Sequence, residues 1–522
     1  MEKSRHLLIF LLLTAITFGA FAAEPKREFR SAWLATYYCI DWPDVKGTGA
    51  EVEAKQKASL LKYIENHARR NFTGICFHVR TAADAFYRSS YEPWSEYLTG
   101  ERGKAPSWDP LAFAVEECHR RGLECYAWVN PFRIVNGTQP RTTAQDKEWK
   151  RKGWTLSKGN YIVFNPAVKE AREHIKKVIK EIYTNYRIDG MLFDDYFYPN
   201  KIGPDAADAS LYRKHGKGFA SINDWRRHNI NTFIAELYDQ IQRDRPDMRF
   251  GMSPAGVAGK GLKNCPAELA FPAAVQGTTD WQYDDICSDP LAWLSAGSLD
   301  FISPQIYWNV KEGMSRYSAK APFEKLSQWW SEVAERCGRH YYGSLSPYCF
   351  TDNIRGKRVN SNDKSHWADM SRQIDLSRCH YAPGQIMYSA KYMDGPACRG
   401  WGDYLQRNSY SRRSLVPVVD WKDAPAPKIP KAKRKGDTLM WRRSHRDEGC
   451  EPIERFTVYA IPEGIPVTDA IADDDDGIDA AYLLTVCYSD KYDIPERYRR
   501  GFNFAVCAYD GYGNESEACL VR

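Results

Sequence analysis

IDGMLFDDYFYP, Ile188 to Pro199, is the stretch on which both fold and chemistry turn. An apolar run of strand length ends in two adjacent carboxylates, Asp194 and Asp195, followed by aromatics and a proline. Ahead of it, Ile175, Val178, Ile179, Ile182 and Tyr186 recur at helical spacing. A helix that feeds a continuous apolar strand marks a buried parallel strand. In a barrel of such strands the chemistry lies at the C-terminal ends, where these carboxylates fall. Neighbours on a strand point to opposite sides, so at most one of the two looks directly into a pocket and the other orients a neighbour. Asp194 is read as continuing Met191 and Phe193, Asp195 as continuing Gly190 and Leu192, with Gly190 and Leu192 as the barrel-lining pair.

Outward from this strand the same alternation repeats. Glu28–Thr36, Gly74–Arg80, Leu123–Asn130, Met248–Pro254, Leu299–Trp308, His340–Leu345 and Gln385–Ser389 read as strands. Helical patterns separate them, as over Glu51–Arg70, Ile222–Arg243 and Phe323–Cys337. Asp109-Pro110 and Asn165-Pro166 are helix starts, a polar cap followed by proline in the first turn. Strand–helix alternation implies a parallel sheet with helices outside, and the number of repeats fits a closed (β/α)8 TIM barrel over residues 24–421. No Gly-x-Gly-x-x-Gly follows the first strand, which argues against a dinucleotide site. Residues 422–436, rich in Pro, Ala and Lys, read as a linker. Residues 437–522 carry short alternating strands and read as a small β-sandwich, with the Asp473–Gly477 run as a turn.

A chain of 522 residues exceeds the about 250–300 at which single cores stop growing, consistent with two domains. Seventeen Trp and 32 Tyr supply flat apolar faces that stack on sugar rings, although most aromatics in any protein serve packing. A net charge of +6, with Lys and Arg scattered apart from a short run near Lys431–Lys435, argues against the concentrated patch that nucleic acid needs. Residues 1–23 read as a signal peptide: Lys3 and Arg5, an apolar run from Leu7, then Ala20-Phe21-Ala22. The mature chain is therefore expected to be exported, to a periplasm or the outside, with no transmembrane segment. The 14 cysteines show no Cys-x-x-Cys pair of zinc spacing, and Cys76 and Cys125 sit inside apolar strands as small hydrophobes. No metal and no organic cofactor is expected.

Several long, ordered segments resemble the glycosyl hydrolase-like 10 family, formerly an unknown-function family numbered 187. They include REFRSAWLAT, PWSEYLTG, WDPLAFAVEECHRRGLECYAWVNPFR, IDGMLFDDYFYP, FGMSPAGV and DFISPQIYW, spanning Arg27 to Asp420. AVCAYDGYGNES in the tail resembles the last strand pair of a fibronectin type III module. The first resemblance implies a barrel glycosidase acting on a bacterial N-acetylated glycan, above all the glycan strands of peptidoglycan. A glycan-binding protein without hydrolysis, or a hydrolase of dietary or host polysaccharide, are the alternatives. The chain departs from the family's pattern at His78, where Gln is common, and at Ser389 and Ala390, where a relative carries Glu.

Glycoside cleavage generally needs two carboxyl groups, one to protonate the leaving oxygen and one as nucleophile or base. Asp194 and Asp195 supply the first. For the second, Asp84 after the second strand ranks ahead of Glu92, Asp284 and Asp285. His78 and Arg80, Asn130 and Arg133, Tyr196, and Gln305, Tyr307 and Trp308 stand at strand ends as candidates to bind sugar hydroxyls, N-acetyl groups and ring faces. Arg80 and Arg133 could equally be ion-pair partners of carboxylates, and His78 a core histidine.

Overall fold

The computed structural model describes residues 24–137, 143–256, 281–308, 310, 323–350, 365–380, 384–394, 400–442, 455–471 and 477–521. The reading of residues 1–23 as a signal peptide lies outside these, as does most of the acidic run ending at Gly477.

The chain opens with β1 (Phe29–Leu34), β2 (Gly74–Arg80) and β3 (Glu124–Val129). A small antiparallel sheet of β4 (Arg133–Asn136), β5 (Thr155–Lys158) and β6 (Tyr161–Phe164) follows. Then come β7 (Gly190–Phe193), β8 (Arg249–Met252), β9 (Phe301–Ile302), β10 (His340–Tyr341), β11 (Gly343–Leu345) and β12 (Gly384–Tyr388). The main sheet runs β10-β9-β8-β7-β3-β2-β1-β12-β11, parallel throughout. β10 and β11 are halves of one pass broken at Tyr342, so the two ends of that order meet and the sheet curls into a ring. Tyr342 N donates to Ile302 O at 2.9 Å across the join.

Two expected strands are shorter than their sequence patterns. The reading Leu299–Trp308 pairs only at Phe301–Ile302, because Pro304 has no N–H to give the ladder. Gln305 beyond it makes only isolated bridges, to Ala255 and Ser344. The β4–β6 sheet was not foreseen, its strands being four residues each.

The helices form the outer layer. Asp109 accepts a hydrogen bond from Ala112 N with Pro110 in the first turn, as read from the sequence. Two apolar layers result. One lies between strands and helices and holds Ile75, Phe77, Met191, Phe193 and Phe250. The other fills the ring with Phe29, Trp33, Tyr126, Trp128, Leu192, Phe301 and Tyr342. Phe29 stacks on Tyr342 at 4.6 Å and meets Tyr126 edge-on at 5.0 Å. Gly190 faces this interior: a Cβ there would lie 2.1 Å from the Tyr126 ring.

The tail forms two antiparallel sheets. One joins β13 (Lys431–Lys435), β14 (Thr438–Arg442) and β17 (Lys491–Asp493). The other orders β16 (Leu483–Cys487), β15 (Arg455–Pro462), β18 (Phe502–Tyr509) and β19 (Cys519–Val521). β13 corrects the linker reading of 422–436, since Lys431–Lys435 pairs with β14 across Gly436. Its Lys-Ala-Lys-Arg-Lys alternation is that of a solvated edge strand. β15 also departs from a half-exposed pattern, being buried along nearly its whole length. Phe456, Val458 and Ala460 face the other small sheet, while Tyr459 and Ile461 pack toward the barrel.

The tail caps the N-terminal end of the barrel. Arg455 pairs with Glu124 at 2.5 Å at the start of β3. Tyr488 Oη donates to Asp189 Oδ1 at 3.0 Å just before β7. Gly122 lets the backbones touch: its φ is +72°, and a Cβ there would lie 2.3 Å from Val486 O. Among the described residues no helix is long and apolar enough to cross a membrane.

Candidate active site

A cavity of about 430 Å³ opens at the C-terminal end of the ring, the end that the Asp-Asp strand points to. Trp33 and Ala35 come from the end of β1, His78 from β2, Trp128 from β3, Asp194 from β7 and Ser253 from β8. Tyr307, Tyr348 and Tyr388 make one wall, their ring centroids about 6 Å apart. Tyr38 and Tyr196 stand at the rim, 56% and 41% exposed, as flat faces open to solvent. A larger cleft of about 630 Å³ lies where the tail meets the barrel's other end. Its charges are paired with one another, Lys180 with Asp244 and His119 with Asp189 among them. No barrel strand delivers its C-terminal end there, so the smaller cavity is the candidate site.

Asp194 lies in the wall of that cavity. This reverses the facing inferred above. A period of two puts residue 194 with Gly190 and Leu192, not with Met191 and Phe193, and those two do line the ring. Asn130 Nδ2 donates to its Oδ1 at 2.8 Å and Trp128 Nε1 to its Oδ2 at 3.2 Å. Burial raises its pKa, while Arg133, Asn130 and Trp128 oppose the rise. The carboxylate is thus held in one orientation by two N–H groups.

Asp195 is 3% exposed, and its Oδ1 has no hydrogen-bond partner among the described residues. Burial, then the adjacent Asp194 charge, push its pKa up to about 7, with the Gln305 amide opposing. Asp195 in turn raises the pKa of the Tyr196 hydroxyl. Of the two neighbouring carboxyls Asp194 lines the cavity, while Asp195 is buried beside it and keeps its proton to near neutrality. Such a pair divides naturally into an acid and an anion.

Four other expected residues join them. Arg133 N donates to Asn130 Oδ1 at 3.0 Å and its Nε to Thr81 O at 2.9 Å. Its guanidinium lies over the rings of Tyr37 at 4.3 Å and Tyr196 at 5.1 Å. His78 stacks on Trp128 at 3.7 Å, and burial with Arg133 nearby keeps it neutral. Among the described residues neither of its ring nitrogens has a hydrogen-bond partner of normal geometry. Gln305 and Tyr307 line the wall, and Gln305 Nε2 donates to Ser253 O at 3.1 Å.

Besides Asp195, three expected residues stand apart from the cavity lining. Asp84 turns into its own loop, where Oδ1 accepts from Thr81 N, Thr81 Oγ1 and Ala82 N at 2.8–3.0 Å. Arg80 is fully buried in a two-pronged ion pair with Glu92, at 2.6 and 2.7 Å. Trp308 packs over Gly256, where a Cβ would lie 2.6 Å from its ring. The other candidate acids are also engaged elsewhere. Glu92 belongs to Arg80, and Asp284 and Asp285 lie 4.0 Å from Arg227 and Lys201.

Sequence reasoning passed over Trp33, Trp128, Tyr37 and Tyr388 as site residues. Trp33 and Trp128 sit on the even-spaced inner faces of β1 and β3, which was the available signal. It also passed over Asp41, whose pKa burial raises to about 6. Asp41 Oδ1 accepts from Ser389 Oγ at 2.7 Å and Oδ2 from Ala35 N at 2.7 Å, joining the ends of β12 and β1. Among the described residues no three His, Cys, Asp or Glu side chains converge as a metal site would require.

Comparison with known sequences matches a family model described as "Glycosyl hydrolase-like 10" over residues 28–357. The chain is 35% identical to "Glycosyl hydrolase YngK" from Bacillus subtilis (strain 168), over 87% of this chain and 86% of that one. It is 28% identical to "Glycosyl hydrolase DigH" from Escherichia coli (strain K12), over 73% of this chain and 88% of the relative. Among solved structures, the PgaB (BpsB) glycoside hydrolase domain from Bordetella bronchiseptica aligns with a TM-score of 0.44 and 14% identity, covering 73% of this chain and 98% of that one.

Proposed function

The chain belongs to the glycosyl hydrolase-like 10 family, and from that premise we propose that it is an exported glycoside hydrolase. Its substrate is a bacterial N-acetylated glycan, the glycan strands of peptidoglycan above all. The observation that carries the reading is Asp194 in the wall of an aromatic-lined cavity at the C-terminal end of the ring, with Asp195 buried beside it. Asp195 is the general acid: it keeps a proton at the pH where a leaving oxygen needs one. Asp194 is the anion that steadies positive charge as the glycosidic bond breaks. Tyr38 and Tyr196 hold sugar faces at the rim, and Arg133 and Gln305 meet polar substituents. Export rests on the N-terminal sequence pattern of residues 1–23.

The test is a panel of purified glycans, comprising peptide-free glycan strands, chitin oligosaccharides and several plant and host polysaccharides. New reducing ends should appear from the N-acetylated members. Cleavage of the plant or host members alone would move the substrate elsewhere. Saturable binding with no product from any glycan would make the protein a binding module.

A further inference from the structure

We propose that the outer face of the tail docks the protein on a lipid bilayer whose surface carries anionic phosphate headgroups. The proposal does not rest on the hydrolase reading, since this face lies at the other end of the molecule from the cavity.

The tail is built in layers. Tyr459 and Ile461 of β15 pack toward the barrel, while Phe456, Val458 and Ala460 meet Leu439 and Trp441 of β14. The sheet β13–β14–β17 is therefore the outermost layer, and its second face looks away from the barrel. Strand register sets the rows on that face. Lys431 stands opposite Arg442. Lys433, Met440 and Lys491 form the next row, and Lys435, Thr438 and Asp493 the last. All of these but Thr438 are exposed, while Leu439 and Trp441 between them are buried. Asp493, the one carboxylate in these rows, accepts from Thr438 Oγ1 at 2.8 Å and stands against five cations.

Folding alone does not account for this array. Lysines on an edge strand guard it against further pairing, and that reason covers β13. It does not cover Arg442, which lies on the central strand β14. Nor does the fold gain from setting Arg442 opposite Lys431, because like charges directly across a sheet destabilise it. An external anion turns that cost into an attraction.

The layout points to the kind of anion. Alternate residues on a strand stand about 7 Å apart and neighbouring strands about 5 Å apart, so the cations spread in two dimensions. A linear polyanion would meet one row, whereas a bilayer surface presents its phosphates as a plane. Met440 sits between Lys433 and Lys491 and is 36% exposed. Ile429, two residues ahead of Lys431, is 49% exposed. Apolar side chains among cations suit the boundary where phosphates overlie acyl chains, and they offer nothing to a hydrated polysaccharide. Docked on this outermost layer, the barrel stands off the lipid with its cavity turned away from it.

The test is co-sedimentation of the full chain with vesicles of phosphatidylcholine alone and of phosphatidylcholine mixed with phosphatidylglycerol, the uncharged set serving as the reference. Binding should favour the phosphatidylglycerol vesicles at about 0.1 M salt and lose that preference near 1 M, where screening acts within about 3 Å. Each cation near an anionic surface is worth about fivefold in partitioning, so Lys433→Gln with Arg442→Gln should weaken binding to the charged vesicles about twentyfold. Lys62→Gln with Lys147→Gln removes the same charge from exposed barrel positions and should change it less than about twofold. All four side chains are exposed, so the variants keep the fold, and circular dichroism checks this. No preference for the charged vesicles, or equal loss in the two double variants, would overturn the proposal. So would binding to soluble dextran sulfate without binding to vesicles, which would give the face to a linear polyanion. Reducing-end release from a soluble glycan should be the same in all these variants, so the vesicle result and the hydrolase reading fail separately.

Discussion

Asp195→Asn should slow hydrolysis sharply and stabilise the fold at once. The carboxyl's pKa rises from 3.8 to about 7 on burial beside Asp194. A group whose folded pKa is raised favours the folded state fully below its unfolded pKa. That advantage is lost as pH rises through the folded value. The shift is roughly 3 units at about 1.4 kcal/mol each, so by pH 8 the wild-type chain forgoes about 4 kcal/mol, to order of magnitude, that a neutral side chain would keep. Asparagine has the same shape and no charge to bury. Urea unfolding at pH 5 and pH 8 should therefore show wild type losing stability relative to the variant. Reducing-end release should show the variant slower by about a hundredfold or more, the usual worth of a general acid. Wild-type kcat/KM should fall above pH about 7 as Asp195 ionises, and the variant's residual rate should lack that limb. A stability difference that does not change between the two pH values, or a variant with wild-type rate and the same limb, would refute the assignment.

Asp194→Asn should also cost about a hundredfold in rate, and its amide N–H₂ would confront an N–H of Trp128 or Asn130, lowering stability by about 1–3 kcal/mol in denaturant titration. Glu92→Gln leaves Arg80 buried without its anion and should destabilise by about 3–5 kcal/mol, while per-molecule kcat of the folded fraction stays near wild type. Arg455→Met, breaking the contact with Glu124 at the barrel base, should lower the melting temperature and speed proteolysis of the tail without changing KM. Tyr388→Ala, removing part of the wall, should raise KM more than it lowers kcat in glycan titrations.

The barrel was legible because helical and strand periods are local. The Asp109-Pro110 start, the apolar run into Asp194 and the repeated alternation each appear as read. What failed were properties set by neighbours. Arg80 and Asn130 stand at equivalent strand ends, yet Arg80 is drawn into Glu92, a partner twelve residues on that no period announces. Asp84 looked free because the donors it accepts from lie in its own turn, at Thr81 and Ala82. The facing of Asp194 was legible and was misread, since even-numbered residues share a face with Gly190 and Leu192. Burial of β15 on both sides depends on docking against the barrel, which the alternation of a short strand cannot reveal.

The central claim is that a glycan is cut in the cavity that Asp194 lines. Its most direct measurement is reducing-end release from peptide-free glycan strands by wild type, Asp194→Asn and Asp195→Asn, with circular dichroism and melting curves on the same samples. The account predicts steady release by wild type and a loss of about a hundredfold or more in each folded variant. Wild-type rates from both folded variants would contradict it.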